Sequence, residues 1–394
     1  MAAREINDHV HAVGVIDWDR QVFDELIPTP DGTTYNAYVV QGSEKTALID
    51  TADPSREEEF ITNIARLGVG CIDYVIINHA EQDHSGSLPI LLDLFPTATV
   101  LATEKGKELI CSLLLLPEER VQVVEDGATI SLGDKTLEFL HAPWVHWPDT
   151  MLTYLREDGI LFSCDLFGSH FATSDLYVQD DHAIEQSAKR YFAEIMMPFR
   201  HVIGNYIDRV EGLNPTLIAP SHGPLHDNPG RILDLYRHWV SDEVKNLVLI
   251  PYISMHGSTQ QMVDYLTEAL IERGVRVKPF NLASADTGSI AMALVDAATV
   301  VIASPTVLFG PHPKIVYAAF LVNMLKPKTR SVGIIGSFGW GGKTVQAITD
   351  MLSNLKADML DPVYIRGQAM EEDMRQLEHL ADEILKRHKD YTIV

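Results

Sequence analysis

His79-Ala-Glu-Gln-Asp-His84 follows Tyr74-Val-Ile-Ile77, an apolar run that reads as a buried strand. Four residues with metal-binding side chains fall in these six positions. Neutral imidazole and carboxylate are the usual protein ligands for mid-sized divalent metals, and alternate spacing aims such side chains into one pocket. The second donor discriminates among metals. A histidine at position 81 would suit zinc, whereas the carboxylate of Glu81 is harder and shifts the preference towards iron or manganese. The competing reading is a polar loop whose histidines only hydrogen-bond.

Three more donors stand beyond apolar runs further along the chain. His146 lies in Ala142-Pro-Trp-Val-His-Trp-Pro148, Asp165 ends Leu161-Phe-Ser-Cys-Asp165, and His222 follows Ile218-Ala-Pro-Ser221. Loops after buried strands are where rigid scaffolds present functional groups. Asp165 is the best-placed bridging residue, since one carboxylate can offer an oxygen to each of two metals. With His79, Glu81, Asp83 and His84 the donors number seven, too many for one ion and suited to two. His226, in a loop rich in Pro, Asp and Asn, reads as solvent-facing. His141 and His170 read either as groups that orient ligands or as ordinary hydrogen-bonded histidines. Tyr191 and Trp147 read as pocket lining or as core.

The chain changes its pattern near residue 245. Residues 1–245 carry strand–turn–strand signals: Asn36–Val40 and Thr46–Ile49 flank the turn Gly42-Ser-Glu-Lys45. Ser55 and Glu58 have capping-box spacing ahead of an apolar helix face of Phe60, Ile61, Ile64 and Leu67. Strands are predicted at 72–77, Thr99–Ala102, Val121–Val124, Leu137–Leu140 and Thr216–Ala219, with a hairpin of Met151–Leu155 and Ile160–Ser163. Helical periodicity fills 183–210. Many strands with few parallel crossovers and terminal helices imply sheets covered by helices.

Residues 246–394 alternate strand and helix regularly. Leu247–Ile253, Val275–Phe280, Thr299–Ala303 and Val332–Ile335 read as strands, the last two typical of parallel strands buried on both faces. Helices are predicted over Gln260–Ile271, 342–354 and 370–388, completing a five-stranded, three-layer unit.

Ser254, Met255, His256, Gly257, Ser258 and Thr259 join the first strand of this half to its helix. They supply three hydroxyls, a glycine for close backbone approach and a helix N-terminus, which are the needs of a phosphate monoester. A loop that merely caps the helix is the alternative. Two further loops follow later strands: Pro305, Thr306, Val307, Leu308, Phe309 and Gly310, then Ser337, Phe338, Gly339, Trp340, Gly341 and Gly342. Gly341-Gly-Lys-Thr344 resembles the end of a nucleotide-binding P-loop, but that motif demands glycine at 337, where Ser337 stands.

Composition narrows the function. The 394 residues hold 31 Lys+Arg against 55 Asp+Glu, a formal net charge of −24. Nucleic acid and anionic membrane need cationic surface and are excluded as partners. Cys71, Cys111 and Cys164 are too scattered for a disulfide framework or an iron–sulfur motif. The N-terminus lacks a signal-peptide pattern and Leu113–Leu116 is too short to span a bilayer, so a soluble cytoplasmic protein is expected.

The ligand run, Gly32-Thr-Thr-Tyr-Asn-Ala-Tyr38, His146-Trp-Pro-Asp149 and the pattern of the second half together resemble the flavodiiron proteins, over essentially the whole chain. The resemblance implies an α/β chain with an N-terminal metallo-β-lactamase-like αββα sandwich and a C-terminal flavodoxin-like, doubly wound, five-stranded parallel sheet. It also implies two non-haem irons and FMN. One iron would take His79, Glu81, His146 and Asp165; the other would take Asp83, His84, Asp165 and His222. In this family the histidine equivalent to His84 is sometimes a ligand and sometimes turned away. FMN would lie across the three loops of the second half, with Trp340 against the isoalloxazine ring. The family often has asparagine where Val307–Phe309 stand, a departure bearing on flavin potential or access.

By the same resemblance, electrons pass from an external donor to FMN, then to the irons, which reduce dioxygen to water, nitric oxide to nitrous oxide, or both. Rubredoxin or reduced coenzyme F420 is the implied donor, and no donor module follows residue 394. Domains of these sizes would hold their cofactors too far apart for rapid tunnelling within one chain. A head-to-tail homodimer, able to pair into a tetramer, is therefore expected. The alternatives are a zinc hydrolase with a fused flavodoxin-like module and an electron carrier with a vestigial metal site.

Overall fold

The computed structural model describes residues 3–394, which divide into two compact units. One comprises the chain up to Tyr191 together with Phe199–Val240; the other comprises Phe192–Pro198 with Ser241–Val394.

The first unit is built on two sheets. The larger runs Arg4–Asn7, Val10–Ala12, Tyr38–Gln41, Thr46–Ile49, Tyr74–Ile76, Thr99–Ala102, Val121–Val123 in spatial order. Side chains alternate faces along a strand, and here both faces are dry. Val39 joins Leu48, Val75 and Val100 in a core packed on Phe60 and Ile64 of the helix Glu57–Leu67. Tyr38 and Val40 join Ile49, Ile76 and Leu101 in a second core shared with Phe139, Met151, Phe162 and Ala219 of the other sheet. That sheet runs Thr129–Ser131, Thr136–His141, Met151–Leu155, Ile160–Cys164, Leu217–Pro220. A helix layer, a sheet and a second sheet are thus stacked, in keeping with the αββα expectation.

The parallel content differs from expectation. Thr46–Ile49, Tyr74–Ile76, Thr99–Ala102 and Val121–Val123 form a continuous parallel ladder, linked by helices that include Glu57–Leu67 and Glu104–Leu114. Strands of three and four residues between longer connections leave too little periodicity to reveal such crossovers. Nor does the Ser55/Glu58 capping box form: Asp53 instead accepts from Ser55 N and caps a short turn, and Glu57–Leu67 starts without a side-chain cap. The periodicity over 183–210 holds as helix throughout, Asp181–Tyr191 and Arg200–Leu213 being joined by a π-helical turn, Phe192–Met196, and a 3-10 turn, Met197–Phe199.

Strand direction positions the donors. In the smaller sheet Thr136–His141, Ile160–Cys164 and Leu217–Pro220 all run the same way. Their C-terminal ends lead into His146, Asp165 and His222, while Tyr74–Ile76 of the larger sheet leads into His79.

The second unit is a parallel sheet in the order Arg276–Asn281, Lys245–Tyr252, Ala297–Val307, Ser331–Phe338, with Asp358–Met359 and Val363–Arg366 both against the last. This 2-1-3-4-5 order is that of doubly wound flavodoxin-like sheets, which bind ligands where the order reverses. Ser258–Glu272 and Glu371–Asp390 cover one face, contributing Met262, Leu266, Leu377 and Ile384 to its core. Among the described residues no helix is long and apolar enough to cross a membrane.

Candidate active site

Two donor sets meet at one carboxylate. His79 Nε2 lies 3.0 Å from Glu81 Oε2, and His146 Nε2 lies 3.4 Å from the same oxygen and 3.5 Å from Asp165 Oδ2. On the other side, His222 Nε2 lies 3.1 Å from Asp83 Oδ2 and 3.3 Å from Asp165 Oδ1. His84 Nε2 completes that set at 3.4 Å from Asp83 Oδ1 and 3.2 Å from Asp165 Oδ1. All seven residues predicted from the sequence are brought together, with His84 turned inward.

The outer ring nitrogens explain why the Nε2 atoms point in. His222 Nδ1–H donates to Thr34 O at 2.7 Å, and His79 Nδ1 faces both Asp149 oxygens at 3.2 and 3.3 Å. Asp149 is itself held by the Ala80 amide at 2.7 Å. His84 Nδ1 faces Cys164 Sγ at 3.9 Å. A hydrogen bond at one imidazole nitrogen sets the tautomer and aims the other. Asp149, Thr34 and Cys164 were not singled out in the sequence. Asp149 sits within the His146-Trp-Pro-Asp149 motif, where its spacing was the only signal.

The chemistry of the cage favours cations. Asp83 Oδ1 and Oδ2 and Asp165 Oδ2 are buried without a hydrogen-bond partner, an arrangement that costs stability unless something positive satisfies them. Burial disfavours imidazolium at His79, yet Asp149 and Glu81 outweigh it and hold the pKa up at about 9. His146 and His222 behave alike, each raised to about 9 against burial by neighbouring carboxylates. Burial opposes ionisation of Asp165, but His84, His146 and His222 hold it well below the usual carboxylate range. These donors fit a pair of hard divalent ions.

Other polar groups frame this centre. Tyr191 Oη donates to Asp165 Oδ1 at 2.8 Å, and Trp147 packs edge-on to His79 at 4.9 Å between centroids. His170, bonded to Thr33 Oγ1 at 2.8 Å, packs 5.0 Å from the His222 ring. Burial, then His222, push its pKa well below the imidazole range, so it stands neutral. His141 bonds Val124 O at 3.0 Å. His226 is buried, contrary to expectation, because its Nε2 bonds Phe167 O at 3.1 Å. Asp24, in the hairpin between Val22–Phe23 and Ile27–Pro28, was also missed; burial and the adjacent Glu81 push its pKa up to about 6.

In the second unit the three expected loops follow Lys245–Tyr252, Ala297–Val307 and Ser331–Phe338 at one edge of the sheet. Ser254 Oγ accepts from the amides of Gly257 and Gln260, both at 3.2 Å, and so closes the turn that starts helix Ser258–Glu272. Met255 and His256 are exposed beside it. Ser258 Oγ bonds Ser337 Oγ at 2.7 Å, joining the first and third loops. Thr259 Oγ1 is buried without a partner at the helix start, where a phosphate oxygen would accept from it. Thr306 Oγ1 bonds Thr344 Oγ1 and Tyr364 Oη, both at 2.8 Å, whereas Phe338 stacks on the Tyr364 ring. Trp340 is 72% exposed between Gly339 and Gly341. A Cβ on Gly342 would lie 2.8 Å from Thr306 Cγ2, so only glycine fits there.

Residues 33–223 match a family described as ODP family beta lactamase. The chain is 34% identical to a nitric oxide reductase of Moorella thermoacetica, over 90% of each sequence. It is 33% identical to a coenzyme F420H2 oxidase of Methanothermobacter marburgensis, over 91% of this chain and 92% of that one. Among solved structures, the rubredoxin oxygen:oxidoreductase of Desulfovibrio gigas superposes with a TM-score of 0.95 at 30% identity, covering 100% of both chains.

Proposed function

Because the chain belongs to the flavodiiron proteins, we propose that its seven convergent donors hold two irons and its three second-unit loops hold FMN. It is an oxidoreductase of dioxygen or nitric oxide, and the hydrolase reading is not favoured. The observation that carries the ligand assignment is the division of Asp165: Oδ2 towards His146 and Oδ1 towards His84 and His222. That is the disposition a bridging carboxylate needs. His79, Glu81 and His146 complete one site; Asp83, His84 and His222 complete the other.

Bound there, two ferrous ions and reduced FMN supply the four electrons that reduction of dioxygen to water consumes, or the two that convert a pair of nitric oxide molecules to nitrous oxide. The chain's own residues supply orientation and exclusion. Asp149 and the Thr34 carbonyl keep His79 and His222 in the tautomer whose Nε2 faces inward. Tyr191 holds Asp165 through its hydroxyl proton, restraining the carboxylate shared by both sites. Trp147 and His170 pack against ligand rings and keep water from them. Asp24 stands beside Glu81, its pKa pushed up to about 6 by burial and by that carboxylate.

The helix Pro313–Leu325 leaves Val316, Tyr317, Phe320 and Met324 exposed, Phe320 by 53%. An apolar stripe of this kind supports association with a second copy, and we infer a homodimer arranged head to tail, able to pair into a tetramer, with one protomer's flavin beside its partner's irons. The electron donor is a rubredoxin or reduced coenzyme F420, the reductants in the names of similar enzymes. Three free cysteines suit a reducing cytoplasm.

Anaerobic stopped-flow spectroscopy of the reduced protein tests this reading. Rapid flavin reoxidation by dioxygen or nitric oxide, abolished when iron is removed, is the expected result. Equal rates with and without iron would overturn it.

A further inference from the structure

The loop after Ala297–Val307 turns through two residues that are ill suited to its backbone. Thr306 pairs with Pro311 and Val307 with Gly310, so Leu308 and Phe309 are the two central residues of a tight hairpin. Both have positive φ, +48° and +68°. A two-residue hairpin with φ positive at both centres has the type I′ pattern, which selects Asn, Asp and Gly. Leucine and phenylalanine crowd Cβ against the following carbonyl in this region and have no side-chain polar group to compensate.

Nothing in the turn recovers that cost by burial. Leu308 is 89% exposed and Phe309 66%. The hairpin is nevertheless well anchored: Lys343 N donates to Phe309 O at 2.9 Å, tying its tip to the loop that carries Trp340. Each of the three loops at this edge exposes a large apolar side chain, Met255 at 51% and Trp340 at 72% being the others. The edge lies where the strand order reverses, between Lys245–Tyr252 and Ala297–Val307. A ligand with a phosphate for the Thr259 end and a flat, apolar ring for these side chains satisfies every part of it.

We propose that Leu308 and Phe309 form an apolar face for the isoalloxazine ring, and that the chain retains an ill-suited pair in this turn because ring contact offsets the backbone strain. The inference rests on the FMN assignment above. The pair therefore determines how tightly FMN is held, and the strain is present whether or not the cofactor is bound.

The double variant Leu308→Asn/Phe309→Gly separates the two effects, since it supplies the residues the turn favours. In flavin-free protein its Tm should rise by about 2–4 °C, the shift of a modest relief of strain in a unit of this size. Titration with FMN, followed by quenching of flavin fluorescence, should show affinity weakened roughly tenfold from loss of apolar contact. A higher Tm with unchanged FMN affinity would overturn the ring-contact role, and an unchanged or lower Tm would overturn the strain. Failure of the unsubstituted protein to bind FMN would instead refute the cofactor assignment itself.

Discussion

Asp165 has one carboxylate and two sets of neighbours, and the residues behind those neighbours decide how firmly each set is held. Asp149 stands behind His79 and Cys164 behind His84. Removing a partner of a ligand's outer nitrogen typically costs 10–100-fold in metal affinity. Asp149→Asn should therefore lower iron affinity about 10–100-fold at the His79, Glu81, His146 side. Chelator competition monitored by Mössbauer spectroscopy should show that iron leaving first. Cys164→Ala should instead loosen the iron at the Asp83, His84, His222 side; the same order of loss in both variants would show that neither residue acts through its histidine. Glu81→His should weaken iron retention and oxidase activity together, and unchanged turnover would remove Glu81 from the ligand set. The seven donors that the fold brings together are legible in the sequence because each stands close beyond an apolar run. Asp149, Thr34 and Cys164 were not, because they act through a second ring nitrogen whose direction only the folded backbone sets. Asp24 was hidden in a short hairpin turn whose proximity to Glu81 is a long-range contact.

The elements of the second unit are more legible in the sequence than those of the first. Its strands are buried on both faces and separated by helices of regular length, so apolar runs mark them; Ala297–Val307 and Ser331–Phe338 each extend past the predicted ends because the ladder continues to the loops. In the first unit Tyr74–Ile76 and Val121–Val123 have three residues each, too few to carry a period. One buried histidine ties an element to pH. His388 on the last helix is fully buried, Nδ1–H donating to Asn246 Oδ1 and Nε2 accepting from Thr299. Burial pushes its pKa down to about 4. The unfolded chain therefore takes up a proton near pH 6.5 that the folded chain refuses, so stability is full above that pH. It declines as pH falls towards 4, by at most about 3 kcal/mol. Urea unfolding between pH 7 and 5 should show this decline, flattened in His388→Gln. An equally steep decline in the variant would assign it to other groups, of which His226, also held at about 4 by burial, is the first candidate.

For the whole molecule, a net charge of −24 and a caged pair of candidate cation sites describe a chain that gains from binding metal. Assembly is testable through the exposed helix face: if the proposed homodimer forms there, Phe320→Asp should convert it to monomer in sedimentation velocity and slow turnover, since a buried unpaired charge destabilises an interface strongly. Persistence of the dimer with normal turnover would place the interface elsewhere. Two irons sharing Asp165 would be coupled through its carboxylate. The most direct test is Mössbauer spectroscopy with metal and flavin quantitation on protein produced with ample iron. About two irons per chain, magnetically coupled through a bridge, with about one FMN, is the predicted result. A single zinc ion, or uncoupled iron in protein that still turns over, would contradict it.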